Sequence, residues 1–411
     1  MTRAIGVEID CPFTPAMLRK VVYAGSQATS FVQAAKDLDA LAEVKLTRER
    51  AQRWTKRVGQ ERVAEVQRQA EAYQALPLPA QQRSPTGRVP QVACVMIDGG
   101  RIQIRQRKDS ADDKERNSKG HWRESLVGCC LTMTSEEHAQ DPCPTIPGTF
   151  VDPARMHDLS REIKGHSQRE GAADAPEAEP PVDHSPDRVG RPKVLVRSVV
   201  ATRAGQDAFG RRLVAEAHRR GFHAARRKAF VADGAASNWS VHKKHFSHYT
   251  PILDFTHAVC YVYAAAMAGH SAAMGWCDYL QWAQWLWEGA VDQLIAAVAT
   301  RADELGPPAD GDETSAAAVV AKALGYLKNQ RPRMNYHQYR RLGLPITSSH
   351  IESTIKQVNR RVKGTEKFWD QGAEPLLVLA ADHLSDTNRL EQFWKTRRNR
   401  LQPMRCYHSA A

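Results

Sequence analysis

The chain has 411 residues, with 58 Lys and Arg against 46 Asp and Glu for a formal charge of +12. Hydrophobic residues make up 42% of it, which supports a sizeable core and excludes a wholly disordered chain; at about 150 residues per domain, two or three parts are expected. No apolar run reaches the ~18 residues that span a bilayer, no secretory leader is visible, and the eight cysteines form no C-x-x-C pair, which argues against a zinc ribbon or a disulfide framework. A cytoplasmic protein with an affinity for polyanions, and no membrane partner, is expected.

Residues 1–80 read as helices. Thr14-Pro15 is an N-cap and first-turn pair, and Ser30-Phe31-Val32-Gln33 is a capping box. A break over Glu43–Leu46 leads to Thr47, a further N-cap. The helix it opens sets Ala51, Trp54 and Val58 on one face and is expected to stop near Gly59. Its remaining positions include Arg48, Arg50, Arg53, Lys56 and Arg57. Two short helices about a tight break, the second basic, resemble a helix-turn-helix; a solvated basic face on a helical bundle fits equally well. Residues 81–90 are polar, with Pro85 and Pro90, and read as a linker.

From residue 91 the texture becomes that of strands. Val92–Asp98 is apolar and β-branched, Arg101–Gln106 alternates, and Gly99-Gly100 between them signals a hairpin turn. Leu126–Met133 is a third strand. Ser135 to Gly190 holds 8 of the 22 prolines and 12 acids against 5 Lys and Arg, and is expected to be a mobile insertion or loop. Lys193–Thr202 is extended, Asp207–Arg220 is an amphipathic helix ended by Gly221, and Phe230–Asp233 and Ile252–Asp254 are short strands ending in acids. Ala258 to about Leu327 is helical and rich in Ala and Trp. Its Trp276, Tyr279, Trp282 and Trp285 fall at near-helical spacing and suit a core. Ile351, Ile355, Val358 and Val362 stripe a late helix. The order hairpin, strand, helix, strand suits a mixed sheet whose first strand lies beside its fourth, the arrangement of a ribonuclease-H-like α/β fold; periodicity alone does not choose it over other mixed sheets.

Asp98 and Asp233 each end an apolar strand and precede glycine. Carboxylates at the ends of neighbouring strands share a crevice, repel, and call for a shared proton or a divalent cation; an Asp-Gly turn is the bland alternative. Glu352 opens the late helix, with Lys356, Asn359 and Lys363 following at i+4, i+7 and i+11. That face offers a metal ligand followed by phosphate-contacting groups, or an ordinary surface ion pair. Residues 331–411 carry 15 Lys and Arg against 7 Asp and Glu. His242, His245 and His248 mimic ligand spacing but lack a matching Cys or acid set, so zinc is not expected. Trp239 suits core packing better than stacking on a base.

Ile97-Asp98-Gly99, Val231-Ala232-Asp233-Gly234, Leu253-Asp254-Phe255-Thr256-His257-Ala258, the stretch Gly343 to Ser353 around Glu352, and Asn359 to Trp369 occur in this order. Together, over roughly residues 90–390, they resemble the core of bacterial insertion-sequence DDE transposases, notably the ISKra-type group. Thr347 and Ser349 stand where related sequences often carry glycine. The resemblance implies a ribonuclease-H-like core over 91–257 and 331–411, interrupted by a helical insertion at 258–330. It implies two Mg²⁺ ions, with Mn²⁺ as an alternative, held by Asp98, Asp233 and Glu352. Asp254 and His257 would support them from behind, the alternative being that they only orient the exit of the strand. Double-stranded DNA would be the substrate, at element ends and target, and pairing two ends implies a homodimer or higher oligomer in the nucleoid. Arg360, Arg361, Lys363 and Lys367 join the residues named above as DNA contacts, and Glu366 is a rival third acid. The alternatives are a ribonuclease-H-like nuclease or resolvase without strand transfer, and an inactive domesticated DNA-binding protein. A two-carboxylate glycosidase fits the basic balance poorly.

Overall fold

The computed structural model describes residues 11–103, 122–168, 191–362 and 372–401. Five strands form one mixed sheet: β1 (Val92–Gln103), β2 (Trp122–Thr134), β3 (Lys193–Thr202), β4 (Arg227–Ala232) and β5 (Thr250–Leu253). Their order is β3-β2-β1-β4-β5, with β1–β2 and β2–β3 antiparallel and β1–β4 and β4–β5 parallel. The first strand thus lies beside the fourth, as expected. Val92 through Ile97 are buried on both faces, which is why this central strand is a continuous apolar run rather than an alternating one.

Gly99-Gly100 is not a hairpin turn. β1 runs through both glycines, which pair with Leu126 and Ser125 of β2, and the ladder extends to Gln103 opposite Trp122. The pair serves close approach instead: a Cβ on Gly100 would stand 3.1 Å from Ser125 Oγ and 3.5 Å from Asn359 Oδ1.

Three N-terminal helices, α1 (Pro15–Gln27), α2 (Phe31–Ala42) and α3 (Arg48–Gln74), start at Thr14, Ser30 and Thr47, each of whose hydroxyls accepts a backbone N–H of the first turn. α3 does not stop near Gly59; it continues to Gln74. Gly59 lies against α14 (Ala373–His383), where a Cβ would come within 2.7 Å of Pro375 Cβ. Leu18, Val21, Leu38, Trp54 and Val58 share a core with Leu379 and with Phe393 of α15 (Arg389–Leu401). Buried Arg62 on α3 donates to both Asp382 oxygens, at 2.6 and 3.1 Å. The one-turn helix α4 (Leu78–Gln81) follows.

The stretch after β2 differs in its first part from the loop expected over 135–190. Residues up to 152 are pinned by Trp287 Nε1 donating to the Cys143 carbonyl at 2.8 Å and by Ile146 N donating to Gln284 at 3.2 Å. Pro153–Gln168 then forms α5, with Met156 fully buried. Residues 169–190 lie outside the described segments. α6 (Gln206–Arg219) crosses from β3 toward β4 and ends at Gly221, whose φ of +71° is the left-handed position where glycine is favoured.

α7 (Ala236–His245) follows β4. α8 (Phe255–Met267), α9 (Ala272–Glu288), α10 (Val291–Leu305) and α11 (Ala316–Gln330) form the expected helical block, and α12 (Tyr336–Arg341) leads out of it. Tyr279 and Trp282 are buried in its core. Trp239 is buried against Phe230, with Arg333 4.3 Å from its ring centre. α13 (Ser349–Val362) lays Ile351, Ile355, Val358 and Val362 onto the sheet, packing against β1 and β2. Among the described residues, no helix is long and apolar enough to cross a membrane.

Candidate active site

Three acids stand in a row at one edge of the sheet. Ile97 pairs with Ala232 and Ala232 with Leu253, so Asp98, Asp233 and Asp254 each directly follow a registered residue on β1, β4 and β5. Neighbouring strands are ~4.8 Å apart, so the three carboxylates leave the same edge of the sheet side by side. Asp98 is not at a strand end, as the sequence suggests; it is the first residue beyond the parallel pairing, while β1 continues against β2 alone. Its Oδ1 accepts the Gly99 N–H at 2.6 Å. The Asp233 Oδ1 accepts from Ala235 N at 3.0 Å and Asn238 Nδ2 at 2.7 Å, which ties it to the start of α7. From the helical block, Gln330 donates to the Gly234 carbonyl at 3.0 Å.

Asp254 has no solvent exposure and caps α8. Its Oδ2 accepts from the backbone N of His257 at 3.1 Å and is 2.6 Å from His257 Nδ1, while Oδ1 accepts from Ser348 N at 2.8 Å. Ser348 immediately precedes α13, and its hydroxyl donates to Glu352 Oε1 at 3.1 Å. One serine therefore joins Asp254 to Glu352. The sequence gives little sign of this role, since serines before a helix are read first as caps. Thr354, on the buried face of α13, accepts from Cys129 Sγ on β2 at 3.4 Å and helps fix the rotation of the helix.

Among the described residues, Asp254, His257 and Glu352 form a metal-capable group, with ligand atoms all within 4.8 Å of one another. Asp98 and Asp233 lie outside that group but are electrically coupled to it. Burial, then the charge of Asp233, pushes Asp98 up to about 7; Gly99 N–H and His257 oppose the shift and Glu352 adds to it. Burial works against a protonated His257, but the Asp254 hydrogen bond and the charges of Asp254, Asp233 and Glu352 outweigh it and raise the imidazole to about 9. Four carboxylates and one imidazole are thus electrostatically coupled, and the group Asp254, His257 and Glu352 among them could hold a metal ion.

The expected DNA contacts divide. Arg48, Arg50, Arg53 and Arg57 lie on α3, as does half-buried Lys56; the Arg57 guanidinium lies 4.9 Å from the Trp54 ring centre. Lys356 and Arg360 are exposed on α13. Asn359 is half-buried and faces Gly100, with no hydrogen bond to its buried Oδ1. Arg361 is a correction: it is 4% exposed, donates twice to the Gly25 carbonyl at 2.9 and 3.1 Å, and ties α13 to α1 instead of reaching solvent. Lys363, Glu366 and Lys367 fall outside the described residues. In comparison with known proteins, the chain matches no family model, and no curated protein is significantly similar to it.

Proposed function

We propose that this chain is a DDE transposase that cleaves DNA at the ends of an insertion sequence and joins the freed 3′-hydroxyl to target DNA. One observation carries the reading: Asp98 and Asp233 follow registered residues on adjacent parallel strands, and Glu352 belongs to the metal-capable group beside them. The order β3-β2-β1-β4-β5, antiparallel on one side of β1 and parallel on the other, supports taking the sheet as ribonuclease-H-like. On that view α8–α11 are the helical insertion before the last acid.

Asp98, Asp233 and Glu352 would together hold two Mg²⁺ or Mn²⁺ ions. Two such ions activate the attacking oxygen and stabilise the leaving one in a phosphodiester displacement. The chain itself keeps the acids in place: Asn238 holds Asp233, and Ser348 holds Glu352. Water is the nucleophile for cleavage and the 3′-hydroxyl for joining, and neither step needs a covalent enzyme intermediate. Exposed Arg and Lys on α3 and α13 would contact backbone phosphates of double-stranded DNA, and at least a dimer would pair two ends.

The test is incubation of the protein and Mg²⁺ with DNA flanking its own gene, followed by analysis of products. Joined donor–target molecules support the proposal. Nicks without joining point to a nuclease or resolvase, and binding without cleavage to a DNA-binding protein that has lost its chemistry.

A further inference from the structure

We propose that His257 is itself a metal ligand, holding through Nε2 the same divalent ion as Glu352, and that Asp254 is the carboxylate that sets its ring. This rests on the divalent-ion reading above but reassigns the pair that the sequence places behind the acids.

The hydrogen bonds of Asp254 decide which of the two reaches an ion. Asp254 is fully buried, and its two oxygens already face three nitrogens: Ser348 N, His257 N and His257 Nδ1. A carboxylate so engaged has little capacity left for a cation. It is, however, the group a metal-binding imidazole requires. An Nδ1–H anchored on a carboxylate fixes the ring and directs Nε2 away from that carboxylate, where a cation can take the place of a proton. The Asp254–His257 pair spans the first turn of α8, so the ring is set by a helix start rather than by a loop.

Glu352 is held by Ser348, whose backbone N–H goes to Asp254. One ligand atom from each of Asp254, His257 and Glu352 lies within 4.8 Å of the others, which sets the His257 ring beside the Glu352 carboxylate. A nitrogen donor weakens the preference for Mg²⁺ relative to transition-metal ions, of which Mn²⁺ also suits the carboxylate oxygens.

The experiment uses the full chain without DNA, loaded with Mn²⁺ and studied by pulsed electron paramagnetic resonance. Wild-type protein should show a directly bound imidazole nitrogen, and protein grown on ¹⁵N-histidine should show the isotope change in that coupling without any mutation. His257→Gln should lose the coupling while still binding Mn²⁺. Asp254→Asn, which can still cap α8, should bind Mn²⁺ about 10- to 100-fold more weakly. Bound Mn²⁺ with an all-oxygen environment in the wild type, or a nitrogen coupling retained in folded His257→Gln, would overturn this assignment and leave the acids as ligands. No bound Mn²⁺ at all would overturn both the assignment and the reading beneath it.

Discussion

Ile97 and Ala232 are Cα partners across the parallel pair β1–β4, and the next residue on each strand is an aspartate. The spacing of a β-sheet therefore brings Asp98 and Asp233 together without help from a flexible loop. Burial and the charge of Asp233 raise Asp98 to about 7, so the metal-free fold carries an electrostatic load at the site where it would act.

That load has a pH signature. An unfolded aspartate titrates near ~3.9, so the folded chain holds the Asp98 proton more tightly than the unfolded chain does. The stability this proton contributes is complete below ~3.9 and is lost as pH rises through about 7. Each tenfold gain in the hold on that proton is worth at most about 1.4 kcal/mol. Asp98→Asn should therefore melt higher than wild type at alkaline pH in the presence of a chelator, and the gap should narrow in mild acid. Melting curves across that range check it; a gap independent of pH would mean that Asp98 is not under this strain.

Gly59 offers a packing test. In a helix interior, Gly→Ala normally stabilises by about 1 kcal/mol. Here the added methyl would meet Pro375 Cβ at 2.7 Å, with Leu379 Cδ1 at 3.1 Å. Overpacking of this kind costs about 1–3 kcal/mol. Gly59→Ala should lower stability in urea unfolding despite its better helix propensity.

Asp98, Asp233 and Asp254 were legible because each follows a short apolar run, and the pairing of the first strand with the fourth followed from element order. The two glycine misreadings have a common cause. Gly99-Gly100 and Gly59 carry the local signal of a turn or helix end, but each lies where another segment comes close: Glu124 and Ser125 on β2 in one case, Pro375 on α14 in the other. Arg361 likewise reads as a basic surface residue until Gly25, 336 positions away, supplies its acceptor. Periodicity and charge along a chain do not carry such contacts. The helix α5 was hidden by the proline-rich composition around it.

The buried pair Arg62–Asp382 should be among the least tolerant positions. Arg389 also reaches Asp382, at 3.2 Å, so Asp382→Ala would weaken the pairing of two buried guanidinium groups at once, leaving Arg62 with Glu65 at 3.2 Å and Arg389 with Glu216 at 3.4 Å. Removing one partner of a buried pair costs about 3–5 kcal/mol. Asp382→Ala should be the more damaging change, because in Arg62→Ala the carboxylate keeps Arg389. Chemical denaturation of both variants ranks them.

Binding should be separable from cleavage. Arg50, Arg53 and Arg57 lie on the basic face of α3, and replacing all three with Ala should weaken DNA binding. The slope of affinity against salt should fall by up to about 3, near one for each phosphate no longer neutralised. Arg361→Ala should act differently: with no exposed charge to remove, it should lower stability by loosening α13 from α1, and leave the salt slope of the folded protein unchanged. Titrations at several salt concentrations, with thermal melting alongside, distinguish the two effects.

The acids make the sharpest test. Asp98→Asn, Asp233→Asn and Glu352→Gln keep side-chain size but remove the charge that would hold a divalent ion. If the ions act as one unit, each single change should remove nearly all Mg²⁺-dependent cleavage, and double changes should add little, because losses within such a unit are not additive. On the proposed function DNA affinity should persist, since most of it would come from phosphate contacts by Lys and Arg. Folding should persist too, and for Glu352→Gln the amide oxygen can still accept the Ser348 hydroxyl. Glu366→Gln should remain active. A dead Glu366→Gln beside a fully active Glu352→Gln would move the third ligand off the face of α13 that Ser348 and Thr354 hold in place, and full activity in Asp98→Asn would remove the basis for a metal-dependent nuclease.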